Sequence, residues 1–239
     1  MEEFLLKMLI ILVPGIFAIT CHEVSHGFVA DLFGDPTARR MGRLTLNPLK
    51  HLSPLGTFFL IVAKIGWAKP VPVNFHNLRH PRRDMILVAA AGPVTNFTLA
   101  IFSGLLIQFL MPLVQHGASQ TFLFFAEPIL AMVVFFLFIN LLLGFFNLTP
   151  IPPLDGGRVV VGLLPEALGR LYARIEPIGF ILVIFIVFGT DIYGKIMWPL
   201  LGFGITLLSG PYSHEVIALL DRVMGLPSFM DILGRLFSR

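Results

Sequence analysis

Cysteine is almost missing from these 239 residues: Cys21 stands alone, so no internal disulfide can form, and its place in the first apolar run suits a small filler. Charge is scarce as well, at 13% of residues against about a quarter in an ordinary soluble chain. With 56% hydrophobic residues and a mean hydropathy of +0.87, that deficit excludes a soluble globular protein and points to several membrane crossings. Spare length is lacking too. Each helical crossing takes about 20 residues, which leaves no room for a separate soluble domain. The net charge of +3 does not argue for a nucleic-acid partner, because in a membrane protein it reports Lys and Arg held on the cytoplasmic side. No internal repeat or low-complexity tract is evident, and the first apolar run is too long for a cleavable leader.

Against this background His22-Glu23-Val24-Ser25-His26 stands out. From Phe4 to Ala30 the only other ionisable side chains are Lys7 and Cys21, and each charged group at lipid depth costs roughly 2.5–3.5 kcal/mol on insertion scales. Residues four apart on a helix share one face, so His22 and His26 can offer ring nitrogens to one cation, with Glu23 beside them as a base. Random placement of 7 His and as many Glu would produce such a pattern in only about half a per cent of chains this long, so the bland reading of two hydrogen-bonded histidines between helices is the weaker one. A zinc ion held by two imidazoles and a carboxylate keeps a fourth position for water and lowers its pKa towards about 7.

Taken in order, the chain predicts an all-α multi-span membrane protein with five to six crossings. The first helix is expected over Phe4–Phe33, kinked near Pro14-Gly15 and stopped by Gly34; His22 then lies about 17 Å inside its end. Asp35 to Asp84 carries nine of the seventeen basic residues and reads as cytoplasmic. Within it, Pro54–Ala63 is apolar but too short to span, which suggests a re-entrant or interfacial loop, while Gly42–Leu46 and Val71–Asn74 read as short strands. His76 and His80 lack a following Glu and a convincing helix, and read as surface loop. A second span, Met85–Met111, carries Gly92-Pro93-Val94-Thr95-Asn96, where Asn96 serves either as helix-to-helix glue or as a donor aimed at the reaction centre. A third, Phe122–Phe146, runs into Asn147-Leu148-Thr149-Pro150-Ile151-Pro152-Pro153-Leu154-Asp155, whose prolines forbid regular helix. Residues 177–209 allow one crossing or two. Two regions are expected: a membrane core over 1–210 and a cytoplasmic amphipathic tail over 211–239.

Asp155 is the best third ligand. Asp31 lies about 140° round the helix from His26, and Asp35 and Asp84 sit in the charged loop, although Asp155 could also cap a helix starting at Gly156.

With HEVSHG, GPVTN and NLTPIPPLDGGR in this order, the chain resembles the site-2 protease family of intramembrane zinc metalloproteases over about Gly15 to Arg158. GWAKPVPVN and PRRDMILVAAAGP resemble its compact prokaryotic branch, without the PDZ or CBS domains of other branches. The resemblance implies one zinc on His22, His26 and Asp155, Glu23 as catalytic base, and Asn96 and Asn147 as residues that position substrate or stabilise the oxyanion. It also implies a substrate that is a transmembrane segment of another protein, cut in the lipid bilayer of the prokaryotic cytoplasmic membrane, with the active site towards the cytoplasm. Such a helix must be opened first, and pairing as an added strand along Val71, Val73 and Asn74 would hold it extended. A non-hydrolytic metal transporter or sensor could use the same ligands, but the outer half of the first helix, Leu9–Ile19, offers almost no polar path.

Overall fold

The computed structural model describes residues 2–53, 56, 69–116 and 119–225. Nearly all of Pro54–Ala63 and the end of the expected tail, 226–239, lie outside the described residues. The α-helices among the described residues are α1 (Glu2–Leu32), α2 (Thr37–Arg40), α3 (Pro81–Gln115), α4 (Gln120–Asn147), α5 (Asp155–Leu163), α6 (Glu166–Ala173), α7 (Glu176–Gly189), α8 (Ile192–Ser209) and α9 (Ser213–Met224). Gly34, at φ +109°, takes the conformation that stops α1, while Pro14 lies inside the helix.

By length and composition, α1, α3, α4 and the run Ile192–Met224 can each cross a membrane. The pair α6 and α7, bent by 63°, makes a fifth crossing if it acts as one span. The class is as expected, and the described residues hold four candidate crossings, or five with that pair, because α7 alone, at 14 residues, is shorter than the bilayer core requires. Residues 177–209 thus hold two helices separated by Thr190-Asp191, of which only the second is long enough to cross without its neighbour.

The two expected strands are absent among the described residues. Gly42–Leu46 and Val71–Asn74 run as irregular chain because their amides find no ladder: Val71 N–H donates to the Glu23 carboxylate at 2.7 Å and Asn74 N–H to Asp35 at 2.7 Å.

The chain divides into two compact units. The first takes the described parts of Met1–Ala18, Phe97–Phe145 and Phe185–Arg239. Its core joins Ile107 of α3, Leu137 of α4, Leu201 and Ile205 of α8 and Val216 and Leu220 of α9. Within the expected amphipathic tail, α9 buries its apolar face in the core of this unit. Polar side chains within its helices turn back on their own backbone: Ser103 bonds Leu99 O at 2.7 Å and Asn140 bonds Phe136 O at 2.8 Å. Gly104 lets α3 meet the backbone of Leu208, since a Cβ there would lie 2.7 Å from Leu208 O.

The second unit takes the described parts of Ile19–Asn96 and Phe146–Ile184. Its proline-rich turn follows α4 and is closed by its own bonds, Ile151 N to Thr149 O at 2.8 Å and Leu154 N to Ile151 O at 3.0 Å, while Tyr172 donates to Pro150 O. Pro152-Pro153 is cis. Gly156 and Gly157 permit α5 to start hard against this turn, because a Cβ on either would strike the backbone of Leu148 or Pro152.

These contacts set a stability contrast. Gly104→Leu overpacks a backbone contact and should lower the thermal midpoint in detergent, at a cost of about 1–3 kcal/mol. Gly15→Ala, where an added Cβ meets nothing within 4 Å, should hold or raise it, alanine being about 1 kcal/mol better in a helix. Circular-dichroism melts check both.

Candidate metal centre

One turn of α1 brings the two imidazoles together, with Nε2 of His22 and Nε2 of His26 3.0 Å apart. Each ring is fixed from behind. His22 Nδ1 lies 2.6 Å from Asn96 Oδ1, and His26 Nδ1 lies 2.7 Å from the Val88 carbonyl. Carbonyl oxygens only accept, so each Nδ1 carries the proton, and in the neutral ring each Nε2 is left with a bare lone pair. Two lone pairs facing at this distance cannot bond each other.

The third group comes from α5. Asp155 Oδ2 lies 3.2 Å from His22 Nε2 and 3.3 Å from His26 Nε2, is buried, and has no hydrogen-bond donor among the described residues. It does not cap its helix, whose N-cap is Leu154. Three acceptors thus converge on one point, and the three residues form a group that could hold a metal ion. The spacing fits zinc: ligand atoms at about 2.0–2.2 Å in a tetrahedron are about 3.3–3.6 Å apart, close to the edges seen here. Gly92 of α3 completes the cradle. A Cβ on it would stand 2.5 Å from His26 Nε2 and 2.6 Å from His22 Nε2, in the path of the converging lone pairs.

A cavity of about 420 Å³ opens on this cluster. Glu23 lines it, as do Asn147, Arg158 and the irregular segment from Pro70 to Phe75, whose Val71, Val73 and Phe75 face inward. Glu23 accepts the Val71 amide at 2.7 Å, so the acid next to the metal cluster also holds this segment. Asn96 is fully buried and reaches the cluster through His22, whereas Asn147 borders the cavity itself. Of the expected substrate-side residues, Val71 and Val73 line the cavity, and Asn74 turns its amide away to Asp35. His76 and His80 are exposed, as expected of a surface loop, and Asp31 pairs with Arg39. Cys21 is partly exposed. Gly92, the Val88 carbonyl and the Val71 amide escape a reading by residue chemistry: one has no side chain and the others act through backbone.

The profile of peptidase family M50 matches residues 8–190. The chain belongs to peptidase family M50. Among relatives of this M50 peptidase, a protein named as zinc metalloprotease YwhC of Bacillus subtilis is 41% identical over 189 residues, 79% of this chain and 84% of the relative. A protein named as zinc metalloprotease Rip2 of Mycolicibacterium smegmatis is 32% identical over 184 residues, 74% of this chain and 65% of the relative. Rip2 of Mycobacterium tuberculosis (strain H37Rv) is 32% identical over 188 residues, 74% of this chain and 67% of the relative. No solved structure matches the chain. The M50 peptidase is a multi-pass, site-2-type membrane enzyme that depends on zinc, and a non-hydrolytic transporter or sensor is set aside.

Outside the spans, Asp35 of the M50 peptidase is fully buried just past α1. Burial alone would raise its pKa, but hydrogen bonds from Thr37, Asn77 and the Asn74 amide outweigh that and hold it below the ordinary carboxylate value. Its folded pKa being depressed, the stability it adds is present above about pH 4 and is lost as pH falls through the folded value. Acid titration followed by circular dichroism should show wild type losing stability more steeply below about pH 4 than Asp35→Asn. Gly92→Ala should abolish stoichiometric zinc, measured by atomic absorption on protein that keeps its helical spectrum.

Proposed function

We propose that this M50 peptidase hydrolyses peptide bonds within or next to transmembrane segments of other membrane proteins, as a step of regulated intramembrane proteolysis. The observation that carries the reading is the convergence of three acceptor atoms, on one edge of a cavity that also contains a carboxylate and an extended segment. His22, His26 and Asp155 would hold the zinc. When bound there, zinc supplies a Lewis acid for the scissile carbonyl and makes water a nucleophile near neutral pH.

The remaining work falls to the chain's own groups. Glu23 takes the proton of the attacking water and passes it to the leaving amine, since it stands on the same helix turn as the ligands and opens to the cavity. Asn96 and Val88 hold the imidazoles in one tautomer and orientation, so that in the neutral ring each Nε2 presents its lone pair to the metal position. Asn147, on the cavity wall, is placed to donate to the oxyanion. A substrate helix hides its carbonyls within its own hydrogen bonds and must be drawn out. Val71–Asn74 is suited to holding it open, because the side chains at 71 and 73 face the cavity and the Val73 amide makes no hydrogen bond among the described residues. An unwound substrate adds along it as a strand.

The nine basic residues between Asp35 and Asp84, between α1 and the body of α3, support a cytoplasmic-side site in the prokaryotic cytoplasmic membrane. The expected result for Glu23→Gln is full zinc content with cleavage of detergent-solubilised transmembrane peptides reduced by about 10²–10⁴. Proteolysis by that variant near the wild-type rate defeats the assignment, as does wild-type cleavage that survives complete removal of zinc by a chelator.

A further inference from the structure

Two charges of the second unit are buried without an opposite charge beside them. Asp35 is fully buried and Arg43 is 5% exposed, and neither makes an ion pair among the described residues. A buried charge is ordinarily paired, because its loss of hydration must be offset. These two are offset by one stretch of backbone. Arg43 Nη2 donates to the carbonyls of Lys69 at 2.8 Å and Pro70 at 3.3 Å. Asp35 accepts the Asn74 amide at 2.7 Å and the Asn77 side chain at 2.8 Å.

The grips therefore flank Val71–Val73, whose residues Val71 and Val73 line the cavity and whose Val71 N–H donates to Glu23. Both gripping residues sit on one short brace. Asp35 also accepts Thr37 N–H and Oγ1–H at the start of α2, and Arg43 N–H returns to Ala38 O at 2.9 Å after its end. Gly27, one residue past His26, lets the gripped segment lie close to α1, because a Cβ there would come 2.6 Å from Val71 Cγ1. An anion on the amides and a cation on the carbonyls resist sliding in both directions along the chain. A slip of the gripped segment by one residue would exchange inward and outward side chains, and a slip by two would preserve them.

We propose that Asp35 and Arg43 are positioning residues that fix the register of Val71–Val73 against Glu23, and so determine which bond of a bound peptide reaches the metal centre. The inference rests on the reading of this segment as the partner of an added substrate strand.

The test uses full-length purified protein, a detergent-solubilised transmembrane peptide, metal analysis, and mass spectrometry of the products. Asp35→Asn and Arg43→Gln should keep zinc, raise KM about five-fold or more with kcat within about three-fold, and add products cut two residues from the wild-type bond. Arg43→Lys, which keeps a cation for the two carbonyls, should return the single wild-type cut. If Asp35→Asn does not accumulate as folded protein, Asn77→Ala carries that arm, since it removes one donor from an exposed position and should give the same product shift more weakly. One unshifted cut with unchanged KM in the zinc-loaded variants overturns the proposal, as does a fall in kcat alone. Wild type that cuts no transmembrane peptide at all instead rejects the reading of function on which it rests.

Discussion

Three lone pairs aimed at one point repel one another until a positive charge sits among them, and the second unit is arranged around that condition. The proton on each Nδ1 is set by a carbonyl oxygen behind the ring, from Asn96 and from Val88, so neither imidazole can relieve the repulsion by turning a donor inward. Asp155 adds a third acceptor whose oxygen has no hydrogen-bond donor among the described residues. The same geometry explains Gly92, since any side chain there would occupy the space the lone pairs need. A cluster held this firmly also loses little entropy when its cation binds, because the rings are already oriented.

The irregular backbone around the cluster obeys a second constraint. Away from water every amide and carbonyl must find a partner, so a break in helix at membrane depth is tolerated only where protein supplies one. The proline-rich turn after α4 meets this with bonds inside itself and one from Tyr172, and proline reduces the number of donors that need satisfying. Segment 69–77 meets it in part through charged side chains: Arg43 for the carbonyls of Lys69 and Pro70, Glu23 and Asp35 for the amides of Val71 and Asn74. That choice leaves its cavity-facing edge free of any ladder among the described residues. A segment paired in a sheet on both sides could not take up another strand.

How much of this the sequence makes legible follows from what each residue contributes. His22 and His26 are legible because two imidazoles four apart in an apolar helix have few other uses, and Asp155 because prolines and glycines mark a turn that a membrane helix would not keep without reason. Asn96 is legible as a polar group at membrane depth but its role is not, since an amide in a helix gives no hint whether it meets substrate or the back of a ligand. Val71 and Val73 show through their alternation, yet alternation leads to a strand that does not form, because it reports which side chains face inward and not where the amides go. The tail shows its period but not its partner for a related reason. An amphipathic helix has the same pattern whether its apolar face meets lipid or protein, and α9 meets protein.

The position of Glu23 gives these observations a common consequence. Next to His22 in sequence, it is carried by the helix that also carries both imidazoles, so its place relative to the two rings is set by α1. Its hydrogen bond to Val71 ties it to the cavity-lining segment, which carries none of the three converging groups. On the proposed reading, metal-binding geometry and peptide placement therefore rest on different supports, one on helix spacing, the carbonyls behind the rings and the turn that carries Asp155, the other on the brace from Asp35 to Arg43. Loss of the second should leave the first intact, which is the physical ground for separating metal content from cleavage position in this enzyme.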